Sequence, residues 1–421
     1  MRARVRFAAA VIAVISANLA PAADPVVRED KVVAGGPKDA LEVRHLVLKG
    51  TNEEIGRALA EITKERFQSE PDRSTDQVRT RAQRRYMEKN YPVLFDRMRG
   101  AAAAYGKRLE DDTWTFGGLT ALPSRPGRPG CSVVYLPPGV TASGTGVVSR
   151  NYDFSTGTMF GTVPPPGQPG DTSRPYLIEM YPDRGYPSLA MSAYDLLSGA
   201  LDGINSEGLT VALLADDELM EKFKLEPTVD AQPGLGVLQV VRMLLDTCAN
   251  VEEAKQALLL TKQYYEFIPC HYLIADRHGK AFVWEYSHAH NKEYIVENPG
   301  TPLVTTNFSL HRHLKAGKPP SAEDAKAICP RYCALAECLI AAKEKVTLDA
   351  LKDAHKRADF VLPAPRPGRA TTRTLWHALY EPDKRAVQIS YYLRDEPGAA
   401  EGKKVNVART EYLEFALKGV K

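Results

Sequence analysis

Apolar and polar positions along this 421-residue chain keep two different periods, and the change falls near residue 131. Before it, Val43, Leu46 and Leu48 suggest a strand that stops at Gly50. Thr51 and Glu54 then have the spacing of a capping box, and Ile55, Leu59 and Ile62 fall on one face of the helix it opens. Helix is expected through about Gly106, so the region before residue 131 reads as mostly helical.

After residue 131 the pattern is strand-like. "CSVVYL" and "GTGVVSRNYDF" read as two strands around a Gly/Ser turn, and "RPYLIEMY", "PSLAMSAY" and "LTVALLA" as three more. "LQVVRMLLDTCANVEEAKQALLL" reads as a pair of helices. "HYLIADRHGKAFVWEYS" is a hairpin turning at Asp276–Gly279, and "EYIVEN" and "PLVTTNF" are strands. Ser321 with Asp324 caps a helix expected to run to about Lys345, and Thr347 opens another. In "TLWHALYEPDKRAVQISYYL", Val387, Ile389, Tyr391 and Leu393 alternate as the return arm of a long hairpin. Strands joined by short turns run antiparallel, so the class is α+β. Several strands are apolar on both faces, which predicts sheets covered on both sides in a layered sandwich. One domain is expected, with a Pro/Gly-rich linker near 121–130 where a cut is tolerable.

Composition narrows the setting. Apolar residues make up 44% of the chain, enough for a large core. The start carries three arginines, then an apolar run ending in Ala20-Pro21-Ala22. This predicts a secretory signal peptide over 1–22 and a periplasmic or extracellular location. The run is short for an uncleaved anchor and lacks a stop-transfer flank. Without the leader's three arginines, 52 of the 55 basic residues remain against 52 acidic ones. A neutral chain is a poor nucleic-acid surface, so a small molecule or peptide is the expected partner. Export permits disulfides among Cys131, Cys248, Cys270, Cys329, Cys333 and Cys338, but sequence does not assign pairs. Cys329, Cys333 and Cys338 lack the CxxC spacing of a zinc site. His288 with His290, and His311 with His313, each place two imidazoles on one face of a strand without a third ligand. There is no G-x-S-x-G elbow, and "GGLTALPSRPG" lacks a P-loop ending.

The candidate chemistry sits where the period changes. "SRPGRPGCSVVY" puts Cys131 at a strand start with a glycine carbonyl behind it. A plain structural thiol is one reading. The other is that the chain is cut between Gly130 and Cys131. A free α-amino group, with a pKa of about 7.7–8.0, can take the adjacent thiol's proton without a histidine base. Gly130 offers no side chain to obstruct thiol attack on its carbonyl.

Gly130-Cys131-Ser132, "SRNYDF", "DGINSEGLTVALL", "VTTNF", the final hairpin and the early "LKGTNEEIGRALAE" together resemble a known group. They are similar to the N-terminal nucleophile (Ntn) hydrolases of the acyl-coenzyme A:6-aminopenicillanate acyltransferase-like group, relatives of the choloylglycine hydrolases. The resemblance runs from about residue 42 to 393. It implies an αββα four-layer sandwich of antiparallel sheets flanked by helices. It also implies a precursor that cuts itself into a helical segment, 23–130, and a core, 131–421, which stay associated. Residue by residue it implies Cys131 as nucleophile, with Arg150 and Asp153 beside it and Asn205 donating to the oxyanion. Asn307 is implied as the second asparagine of the site and Arg373 as a late arginine. Taken singly, these are ordinary turn, cap and surface residues. The implied activity is hydrolysis of a linear amide in an N-acyl compound, with no metal or organic cofactor. Acyl transfer to an amine is the alternative, disfavoured because coenzyme A thioesters are cytoplasmic. A reading from another class is a secreted binding protein with Cys131 in a disulfide. Oligomeric state is left open.

Overall fold

The computed structural model describes residues 25–116, 130–158, 161–170, 172–216, 233–264, 269–287, 292–340, 342, 344–361, 367–396 and 405–419. The expected signal peptide, most of the linker and the His288/His290 pair lie outside them.

The chain opens with β1 (Val27–Gly35) and β2 (Glu42–Gly50), then α1 (Asn52–Phe67), α2 (Gln77–Asn90) and α3 (Pro92–Ala104). Eight strands follow or flank the next helices: β3 (Gly130–Leu136), β4 (Val147–Ser155), β5 (Tyr176–Pro182), β6 (Ser188–Ser192), β7 (Asp202–Asn205) and β8 (Thr210–Ala215) precede α4 (Val237–Thr247) and α5 (Val251–Leu260), and β9 (Cys270–Ala275) and β10 (Ala281–Ser287) come after. Next are β11 (Lys292–Glu297), β12 (Leu303–Thr305), α6 (Ala322–Ala325), α7 (Pro330–Leu339) and α8 (Leu348–Arg357). The chain closes with β13 (Thr372–Glu381), β14 (Ala386–Asp395), β15 (Val407–Arg409) and β16 (Leu413–Ala416).

The strands form two sheets. One has nine strands in the order β1-β2-β5-β6-β7-β8-β9-β10-β11. The other has seven, β12-β3-β4-β13-β14-β15 with β16 also on β14. The sheets face each other through Arg150 and Asp202, the hydroxyls of Tyr152 and Tyr194, and Tyr391 on Met191. Helices α1, α4 and α5 cover the far face of the nine-stranded sheet, and α7 and α8 that of the other. This is the expected α+β, four-layer arrangement. Every residue of β3 and β4 is buried, as expected for strands covered on both faces.

Several elements differ from expectation. The strand expected to stop at Gly50 is β2, but an unexpected β1 precedes it; the two form the end of the nine-stranded sheet, and β2 joins β5 in a parallel pairing where only antiparallel ones were expected. β1 reads VREDKVVAG, and its charged positions hid the alternation. The helix from Ser321 is split, because Pro330 cannot continue α6 and instead starts α7. His311 and His313 sit in a 3-10 turn (Leu310–His313), not a strand, and His311 Nδ1 is 2.7 Å from Glu285 Oε2. The Thr51/Glu54 capping box is present.

Candidate active site

β4 explains how one strand serves two layers. Alternate side chains point to opposite faces. Arg150 and Tyr152 enter the space between the sheets, where Arg150 Nη1 lies 2.7 Å from Asp202 Oδ2 and both side chains are fully buried. Asn151 and Asp153 face the outer helices: Asn151 donates to His355 O at 3.1 Å and to Asp359 Oδ1 at 3.0 Å. β3 pairs with β4 so that Gly130 lies opposite Asp153 and Cys131 opposite Tyr152.

Cys131 is therefore gripped from two directions. Its Sγ is on the inter-sheet side, 3.7 Å from Arg150 Nη2, which also donates to Leu213 O at 2.6 Å. Its backbone N–H donates to Asn307 Oδ1 at 2.7 Å. Asn307, just past β12, donates through Nδ2 to Ala215 O at 2.8 Å. Thus Arg150 and Asn307 both tie the seven-stranded sheet to β8 of the other. Gly130 is required by close approach: a Cβ there would stand 2.9 Å from Asp153 Oδ2.

Arg331, in the first turn of α7, closes the group. Its Nη1 donates to Cys131 O at 2.7 Å and to Asp153 Oδ2 at 2.9 Å, and its Nη2 to Asn307 Oδ1 at 2.7 Å. Thr374 Oγ1 donates to Asp153 Oδ1 at 2.6 Å. Burial raises the Asp153 carboxyl's pKa, opposed by Arg331, the Thr374 hydroxyl and Arg150. The Cys131 thiol is pushed up to about 11 by burial, with Arg150 pulling against it. In the intact chain the sulfur is thus held as a thiol. An aromatic wall flanks it: Tyr152 stacks on Trp376 with ring centroids 4.1 Å apart and meets Tyr194 through its hydroxyl. Tyr194 has φ 74°, a costly conformation for a bulky residue, of the kind that collects at functional sites.

The structure thus gathers Cys131, Arg150, Asp153 and Asn307. It does not bring Asn205 to them. Asn205 shares its face of β7 with Gly203, toward α4, opposite to Asp202. Its Nδ2 donates to Leu245 O and Cys248 O at 3.0 and 2.7 Å, and its Oδ1 accepts the N–H groups of Glu207 and Leu209. With all of these engaged, it clamps a turn to a helix end. Arg373 also lies apart from this group. It points to the face of β13 opposite Thr374, and its fork is held by Asp395 through two 2.8 Å bonds. Arg331 and Thr374 were missed. Pro330 marks a helix start, but nothing local links Arg331 to a cysteine 200 residues earlier. All six cysteines are free thiols. No group of three or more His, Cys, Asp or Glu placed to hold a metal ion occurs among the described residues.

Two facing sheets between helix layers define the Ntn class of fold. The chain belongs to the family described as "AAT: Acyl-coenzyme A:6-aminopenicillanic acid acyl-transferase", which matches residues 140–393, more than half its length. The match starts after Cys131 and includes Arg150, Asp153, Asn307 and Arg331. The fold is similar to a mutant conjugated bile acid hydrolase from Clostridium perfringens, at 16% identity over 66% of this chain and 92% of that one, with TM-score 0.42. It is also similar to penicillin V acylase from Agrobacterium tumefaciens, at 16% identity over 67% of this chain and 86% of that one, with TM-score 0.40. No curated protein matches the chain. Family membership makes it an Ntn-type enzyme of amidase or acyltransferase character.

Proposed function

We propose that this protein is an exported amidase whose nucleophile is Cys131, made competent by cleavage of its own Gly130–Cys131 bond. The observation that carries the reading is the convergence on residue 131: Asn307 Oδ1 lies 2.7 Å from its nitrogen, and Arg331 bridges its carbonyl oxygen, Asn307 and Asp153. In the precursor, Cys131 Sγ attacks the Gly130 carbonyl carbon. A C–S bond forms, the C–N bond breaks, and the nitrogen takes the thiol's proton. Water then hydrolyses the thioester. The result is a free amine held by Asn307 Oδ1 and the Asp153 carboxylate.

In turnover that amine takes the thiol's proton and the thiolate attacks the acyl carbon of a linear amide. The amine returns the proton to the leaving nitrogen, and water releases the acid and regenerates the thiol. The oxyanion falls to Asn307: its Nδ2 carries two N–H groups, and among the described residues it donates to one acceptor, Ala215 O. Parallel pairing of β2 with β5 and the Arg97–Asp246 ion pair would keep segment 23–130 bound after the cut. The family's description favours a second reading, in which an amine replaces water on the same acyl-enzyme.

Intact-mass measurement of the purified protein tests the proposal. Two pieces meeting at Gly130/Cys131, and one piece in Cys131→Ala, are expected. A single uncut chain that still hydrolyses N-acyl amides would sink it. Adding a primary amine and measuring partition between acid and new amide separates hydrolysis from transfer.

A further inference from the structure

A cleft lies away from Cys131, on the outer face of the nine-stranded sheet. It encloses about 680 Å³, part of it open to solvent, between α1, α3, α4 and strands β5 and β6. Most of its lining is apolar, including Leu59, Met87, Leu94, Met98, Phe116 and Leu196. Helices α1 and α3 cross backbone to backbone above it. A Cβ on Gly56 would stand 2.1 Å from Arg97 O, and one on Gly100 1.8 Å from Glu53 O. This contact lowers Arg97 toward the sheet.

The polar groups are uneven. Ser192 is used by Asp195 O and Gly199 O, and Gln239 Oε1 by Gly236 N–H. Arg97 and Arg242 also line the cleft, at 7% and 6% exposure. Both hold one carboxylate, Asp246, which sits behind them. Arg97 reaches it through Nη1 and Nη2 at 2.6 and 3.1 Å, and Arg242 Nη2 is 3.0 Å away while also donating to Ser188 Oγ at 2.7 Å. Nε of each arginine is buried without a partner among the described residues. The nearby Asp195 is tied to its own turn by the N–H groups of Leu197 and Ser198 and the Ser198 hydroxyl. Two guanidiniums against one carboxylate leave one positive charge in a largely apolar wall. An uncompensated buried charge is costly unless something pairs with it.

We propose that this cleft binds a monoanion with an apolar body, of the class of a medium-chain carboxylate, its head on Arg97 and Arg242 and its chain along the Met and Leu lining. A bare clamp between α3 and α4 needs neither the cavity nor the second arginine.

Calorimetric titration with decanoate, below its micellar concentration, and with 1-decanol tests this. Decanoate should bind one site per chain at least about tenfold more tightly than decanol, the margin of one charge-assisted hydrogen bond. Arg242→Gln should erase that margin. Leu197→Trp, which puts a larger side chain into the lining, should abolish binding, and Cys131→Ala should leave it intact. Equal affinity for acid and alcohol, unchanged binding in Leu197→Trp, or loss in Cys131→Ala would each overturn the assignment.

Discussion

Asn307 and Asn205 each stand at or just past the end of a buried strand, and only one meets Cys131. Asn205 lies where β7 turns back beneath α4. Four backbone groups there need partners, and the side chain supplies them all. Asn307 lies where β12 meets the start of β3, and its neighbours are Cys131 N, Arg331 and one carbonyl. The comparison teaches that the same side chain is structural where local backbone groups saturate it. It becomes chemically useful where bonding capacity is left over.

The two regions should break differently. Cys131→Ala should lower amide turnover by roughly 10⁴-fold or more, read in an N-acyl amide assay, since loss of a nucleophile removes the covalent route. Asn307→Ala should lower kcat by about 10²–10³-fold, the usual cost of an oxyanion donor, while Asn205→Ala should leave kcat within about threefold. The Asn205 variant should instead lose about 3 kcal/mol in urea unfolding, from carbonyls and N–H groups left unpaired in the core. Arg331→Met should slow self-cleavage and also cost about 3 kcal/mol, the low end for unpairing a buried charge. Arg373→Met should affect stability alone. A comparable loss of turnover in Asn205→Ala and Asn307→Ala would erase the distinction.

The smallest effect concerns pH. Asp359 is raised to about 6 by burial, against Arg409, with Asp153 adding to the rise and Asn151 and Thr374 opposing it. A raised folded value means the protonated form is favoured by folding. Its contribution is complete below about 3.9, the ordinary value, and is lost as pH climbs through about 6. Wild-type stability relative to Asp359→Asn should therefore fall between about pH 4 and 6 by at most ~3 kcal/mol, then level off. A difference that is flat with pH would refute this environment for Asp359.

Much of the fold was legible because it rests on short-range pattern. The capping box at Thr51, the β9–β10 turn at Asp276–Gly279 and the alternation of β14 all show within a few residues. Which residue of β13 meets Asp153 was not legible. Side chains on a strand alternate, so a one-residue slip moves every assignment to the other face. β13 carries an irregularity between Thr374 and Trp376, and Thr374, not Arg373, meets Asp153. Arg331 was invisible for another reason: an arginine early in a helix looks like any solvated one.

The order of residues by itself determined the alternating strands, the helix caps and a cysteine placed after a glycine at a strand start, because each depends on neighbours a few positions away. It also placed Arg150 and Asp153 three apart, which on a strand sends them to opposite faces. Only the packing of the two sheets and α7 decided that Arg331 and Asn307 converge on Cys131 while Asn205 turns away. Those contacts join positions up to 200 residues apart, and a chain's local rules carry no information about which distant backbone groups will arrive already satisfied.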